Sequence, residues 1–399
     1  MKTVVHVSAD YPDSFAHNKT AAVANLVAGA PGFRHIVYSL NRVTGLSGIA
    51  ASEFEPDRSC VVYHAPPKGL LLRTRLNDLA DWIADDLIAR DIRPDVVHAH
   101  KFTIEGLIGL RLKAKFDCPL VCNIQGNSDI LIAERRPDLR RHYRVLARES
   151  AAVLSFAPWC GPAMERILDA PVHYDMLPVG TTCDALLTPV LCDQPRLVSL
   201  FHLDAWRLKG ADTLATAVTR VARDRPDVVL DIYGGGSPRQ TQALRASVTR
   251  RAGPARVRLM GPLSRDRVQQ TLNGYSAFVM PSHRETYGLA FVEALFSGTP
   301  VVFPRGRAID GILPESDIGA GCDPSSVRDL TRAINHVLDH QATLKTRLAA
   351  AQEAGALDPL RLDTITARYR RVLADVTGAE FRCEQTTSPR RPLHSSRTA

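Results

Sequence analysis

The chain has 399 residues, enough for two domains with full hydrophobic cores. Apolar content of 45% and charged content of 23% are ordinary for a soluble globular protein. The net charge of +8 suits an anionic ligand or an anionic membrane surface without diagnosing either. No interleaving of aromatic and basic residues marks a single-strand nucleic-acid binder, so no nucleic-acid partner is expected.

Residues 1–10 read as a strand; the apolar run is too short for a signal peptide. From there strands and helices alternate, the pattern of a parallel sheet and an α/β fold. A loop at 13–20 precedes an apolar helix at 21–28. Lys19 beside a hydroxyl at a helix start suits phosphate or an acceptor, and equally a solvated loop. A second strand is expected at 35–40, irregular chain at 41–56 and an amphipathic helix at 76–89. Residues 95–100 form a strand and its end. His98 and His100 have no further ligand near them in the sequence, so no metal is expected there. The eight cysteines, at 60, 118, 122, 160, 183, 192, 322 and 383, form no CxxC pair. Cys118 and Cys122 read as small buried thiols, and a reducing cytoplasm fits them.

Residues 120–129 are a strand and loop containing Gln125 and Gly126. Arg135, Arg136, Arg140, Arg141, Arg144 and Arg148 cluster on a helix. That surface reads as a docking face for anionic lipid or as a solvated face partly paired with Glu134, Asp138 and Glu149. The nearly charge-free stretch 151–163 contains Pro and Gly and is too short to span a membrane. Residues 186–195, with two prolines and no periodicity, read as a linker.

A second domain opens with the strand 196–201, the loop 202–210 and a helix at 211–223. The strand 228–233 runs into Gly234-Gly235-Gly236, which lacks the G-x-G-x-x-G spacing of a dinucleotide site. After the strand 257–261 and a helix at 266–274 come the apolar strand 277–280 and Arg284-Glu285-Thr286-Tyr287-Gly288-Leu289-Ala290-Phe291-Val292-Glu293. Ser297-Gly298-Thr299-Pro300 stops the helix, and 301–303 is the next strand. Glu285 belongs to the loop and Glu293 to the helix, roughly 12 Å apart if all of it were helical. That is too far for an acid/base pair on one bond, but it suits two ends of an extended ligand. Carboxylates accept from hydroxyls, and a helix start receives phosphate. A ligand with hydroxyls at both ends and phosphates between is a nucleotide-sugar. Beyond it lie a loop at 306–311, helices at 325–338 and 360–376, and a polar tail from Gly378 expected to be disordered.

Glu285 and Glu293, with Tyr287-Gly288-Leu289 between them and Gly298-Thr299-Pro300-Val301-Val302 after, resemble the E-x7-E signature of retaining glycosyltransferases of family 4. The family has Phe where Tyr287 stands. The resemblance covers about residues 1–377 and is specific in 196–303. It implies the GT-B fold, two Rossmann-like domains facing each other across a cleft. Residues 1–187, with a returning helix at 360–377, would bind the acceptor, 195–357 would bind the donor, and 378–399 would be the tail. The implied activity moves a hexose from a UDP- or GDP-linked donor to a glycan or lipid-linked acceptor, in polysaccharide or glycoconjugate biosynthesis. No metal or other cofactor is implied, the nucleotide-sugar being a co-substrate.

The same resemblance assigns Glu285 to the donor sugar and Glu293 to the ribose. Lys209, followed by Gly210, matches the family's clamp on the diphosphate. His202 stands where the family has Arg, in a loop two residues longer, which leaves Arg207 to supply the guanidinium. Thr286, Tyr287, Gly288, Leu289, Gly235 and Gly236 would surround the donor. Asn18, Lys19, His100 and Gln125 would face the acceptor or cleft. The family's Gly-Gly pair is replaced by Asn18-Lys19-Thr20, and its His-Gly pair by Gln125-Gly126. Gln positions a hydroxyl but is no base at neutral pH. Other readings are a nucleotide-sugar-binding scaffold without catalysis and a nucleotide-sugar epimerase.

Overall fold

A computed structural model describes residues 1–16 and 19–379. Asn18 and the expected tail from residue 380 lie outside the described residues. The first sheet contains β1 (Lys2–Ser8), β2 (Phe33–Thr44), β3 (Ile49–Glu55), β4 (Arg58–Ala65), β5 (Val96–Ala99), β6 (Leu120–Ile124), β7 (Ala152–Ser155) and β8 (Asp175–Met176). Their order is β3-β4-β2-β1-β5-β6-β7-β8. Every pair is parallel except β3 with β4. Val4, Val5, Val7, Val96 and Val97 are fully buried, as central strands covered by helices on both faces require.

The second sheet contains β9 (Arg196–Leu200), β10 (Val229–Tyr233), β11 (Val257–Gly261), β12 (Ala277–Val279), β13 (Val301–Pro304) and β14 (Gly319–Cys322). Its order, β11-β10-β9-β12-β13-β14, is that of a doubly wound nucleotide-binding sheet. The chain reverses its winding between β9 and β12, and in the first sheet between β1 and β5. Loops leaving the carboxyl ends of these neighbouring strands border a crevice, and that is where such folds bind ligands.

Residues 41–56 depart from the irregular chain expected. β2 runs on to Thr44, and β3 turns back antiparallel on β4 at the sheet edge. Most of β3 is exposed, so no apolar alternation marks it. The last helix, Leu362–Thr377, packs on the first sheet. Ile365, Tyr369 and Leu373 join Val4, Leu26, Val96, Val121 and Leu154 in one apolar cluster. The Tyr369 hydroxyl meets His98 Nδ1 at 2.6 Å.

Candidate active site in the interdomain cleft

Two loops build the site on the second domain. One follows β9 and carries Lys209; the other follows β12 and carries Glu285. The second is tied to the first by His283 N donating to Leu208 O at 2.8 Å. Gly210 has φ +72°, and a Cβ there would stand 2.1 Å from the Pro281 carbonyl oxygen. Only glycine lets the two loops touch. Lys209 Nζ lies 2.5 Å from Glu285 Oε2, both largely shielded from solvent. Gly288, at φ +78°, then turns the chain into the helix Leu289–Phe296.

Across the cleft, Asp10, Thr20, Gln125, Phe156 and Val179 of the first domain share a cavity of about 290 Å³ with Glu285, Thr286, Tyr287, Gly288 and Leu289. Tyr287 is buried, and its hydroxyl has no hydrogen-bond partner among the described residues. Glu293 is also buried. Its Oε1 accepts from Thr181 Oγ1 at 2.7 Å and from Arg265 at 3.0 Å. Burial raises its pKa, opposed by Thr181 and Arg265. Neither acid faces bulk solvent.

Other expected residues lie elsewhere. Arg207 is exposed and stacks on the Trp206 ring, 4.0 Å from its centroid. Lys19 turns inward, with Nζ bonded to Asp13 at 2.7 Å and Ser39 at 2.9 Å. Burial opposes ionisation of Asp13, but hydrogen bonds from Lys19, Asn41 and Ser39 outweigh it and hold the carboxyl far below its usual range. Lys19 therefore anchors the loop to β2. Gly235 and Gly236 border the β9 loop, where Leu203 N donates to Gly235 O at 2.8 Å.

His100 is fully buried beneath the cleft and does not line the cavity. His6 supplies the third imidazole that sequence neighbours of His98 and His100 lack, and the three offer ligand atoms within 4.8 Å of one another. Hydrogen bonds already organise these rings. His35 Nε2 meets the Ala30 carbonyl at 2.8 Å and so must donate. His35 Nδ1 then accepts from His6 Nε2 at 2.8 Å, and His6 Nδ1 accepts from His100 Nε2 at 3.0 Å. His98 is engaged by Tyr369 and Asn123. Burial lowers the pKa values of all four imidazoles. The arrangement is a chain of neutral rings ending at His100 Nδ1, which has no partner among the described residues.

Sequence reasoning missed several groups. Asp10 pairs with Lys101 at 2.7 Å where β1 and β5 diverge, the counterpart in the first domain of Lys209–Glu285. Thr181 and Arg265 hold Glu293. Trp159, Asn127 and Arg307 meet at the cleft lip. Only Lys101, directly after the His-x-His pair, carried a local signal; the others are joined by contacts distant in sequence.

Residues 193–355 match the family Glycosyl transferases group 1. The match covers the second domain and leaves the first outside it. Among curated proteins, the chain is similar to "Glycogen synthase" of Mycobacterium tuberculosis, 26% identical over 315 residues, covering 76% of this chain and 73% of that protein. Among solved structures it is similar to sucrose-phosphate synthase from Thermosynechococcus elongatus, with TM-score 0.70, 18% identity and coverage of 95% and 100% of the two chains. It is also similar to HepE from Anabaena in complex with UDP, with TM-score 0.66, 16% identity and coverage of 94% and 100%. These structural likenesses show the fold: the chain has the GT-B architecture.

Proposed function

We propose that the protein is a retaining, family 4 type glycosyltransferase that moves a hexose from a UDP- or GDP-linked donor to a glycan or lipid-linked acceptor. The observation that carries this reading is the Lys209–Glu285 pair, 2.5 Å apart at the winding reversal of the second sheet. Without ligand the two charges neutralise each other. An arriving diphosphate draws the Lys209 ammonium to itself, which frees the Glu285 carboxylate to accept from sugar hydroxyls. Lys209 then stabilises the charge that builds on the leaving diphosphate. Arg207 adds a second cation by swinging off Trp206. Glu293, held by Thr181 and Arg265, takes the ribose diol. Gln125 and Asp10 receive the acceptor from the first domain. The transition-state charge is met by these cations, so this reading requires no metal.

The enzyme is expected in the cytoplasm, building polysaccharide or glycoconjugate. None of the described helices is long and apolar enough to cross a membrane. Peripheral contact with an anionic lipid surface is part of the reading, through the arginine-bearing helix Arg140–Glu149. A thermal-shift screen of UDP- and GDP-sugars identifies the donor. With that donor, Glu285→Ala and Lys209→Ala should each lower turnover by roughly 10²- to 10³-fold while the unfolding midpoint holds. Wild-type turnover in either variant would remove the assigned roles.

A further inference from the structure

The donor loop is gripped from the opposite domain. Trp159, which opens the first-domain helix Cys160–Leu168, donates its indole N–H to the Thr286 carbonyl at 2.7 Å. Asn127 Nδ2 reaches the Thr286 hydroxyl at 3.2 Å. Arg307, from the second domain, donates to Asn127 Oδ1 at 2.8 Å and lies over the Trp159 ring at 5.3 Å. Gly126 makes room: a Cβ there would stand 2.6 Å from Thr286 Cγ2. Thr286 therefore sits in a socket of first-domain atoms, one residue from Glu285.

We propose that Trp159 is a positioning residue for glycosyl transfer. Its N–H holds the Thr286 carbonyl only when the two domains are closed, and so fixes the Glu285 carboxylate against Lys209 and the donor sugar. Donor affinity resides in the second domain and is separate from this contact. Turnover depends on it, because a displacement of about 1 Å in a reacting array costs up to ~100-fold. The proposal rests on the glycosyltransferase reading of the cleft.

Trp159→Phe keeps a ring beneath Arg307 and removes the N–H. Three measurements on the full chain decide the matter: amide exchange of the peptide covering 284–289, UDP and GDP binding by calorimetry, and hydrolysis of UDP-glucose and GDP-mannose. The expected result is exchange at 284–289 faster by about 10-fold, kcat lower by ~10- to 100-fold, and KM and nucleotide affinity within about 3-fold of wild type. Asn127→Ala should move the same quantities in the same direction by less. Wild-type exchange and kcat in Trp159→Phe would overturn the proposal, as would a rise in KM at constant kcat. A wild-type protein that binds neither nucleotide and hydrolyses neither sugar would instead remove the glycosyl-transfer reading. Loop exchange would still report on the contact.

Discussion

Glu105 is fully buried behind the first-domain wall of the cleft, where its Oε1 accepts from Ala9 N at 2.8 Å. Burial pushes its pKa up to about 8, against the pull of the nearby Lys101 ammonium. A raised carboxyl pKa means that the folded state holds a proton the unfolded chain has released. Its contribution to stability is complete below about 4.5 and is lost as the pH rises to about 8. Glu105→Gln keeps a neutral group in place and should flatten that slope, by on the order of a few kcal/mol between about pH 5 and pH 8. Urea unfolding at several pH values measures it. Equal slopes in the two proteins would show that Glu105 stays ionised.

Among the elements, legibility followed exposure and sequence distance. The unit from β12 through the helix Leu289–Phe296 to β13 was readable because apolar runs, Gly288 and the Gly298-Thr299-Pro300 stop are all local signals. β3 was not, being an exposed edge strand held by its neighbour. Lys19 was read as facing a ligand or solvent because charge is visible in a sequence and its direction, here inward to Asp13 and Ser39, is not. The turn at residues 67–71 was equally silent. There Leu70 and Leu71 are 65% and 50% exposed, and Lys68 and Leu71 adopt φ of +55° and +54°. Arg136 fastens the turn to the arginine-bearing region through the Gly69 carbonyl at 2.9 Å. Arg73 and Arg141, after burial, lower the pKa of the adjacent His142. Two leucines amid cations have the chemistry an anionic-lipid contact requires, since aliphatic side chains enter the acyl boundary while guanidinium groups meet phosphate. Vesicles with about one-third phosphatidylglycerol should therefore bind the protein, and Leu70→Ser with Leu71→Ser should weaken binding by roughly 10-fold. Flotation assays test it. Equal binding by wild type and variant would sink the contact.

The two domains carry matched features at their winding reversals. Asp10 with Lys101 faces Lys209 with Glu285, each a cation and a carboxylate contributed by neighbouring loops. The cleft thus has a polar pair on each wall. What keeps the first wall intact is the last helix, through the Tyr369–His98 hydrogen bond inside its apolar seam. Tyr369→Phe leaves His98 Nδ1 without that donor and should cost about 1–3 kcal/mol of stability, read from denaturant midpoints. No change would mean that a buried water takes the donor's place.

That helix also sets an order of manufacture. The ribosome finishes β8 long before it reaches Leu362, and the intervening residues 177–361 take roughly 10–40 s to synthesise at ~5–20 residues per second. Throughout that interval the newborn amino-terminal half displays Val4, Leu26, Val96, Val121 and Leu154 uncovered, a greasy strip suited to chaperones. The half that emerges first is therefore the last to be sealed, and a message cut short before the final helix would release a chain with that strip bare.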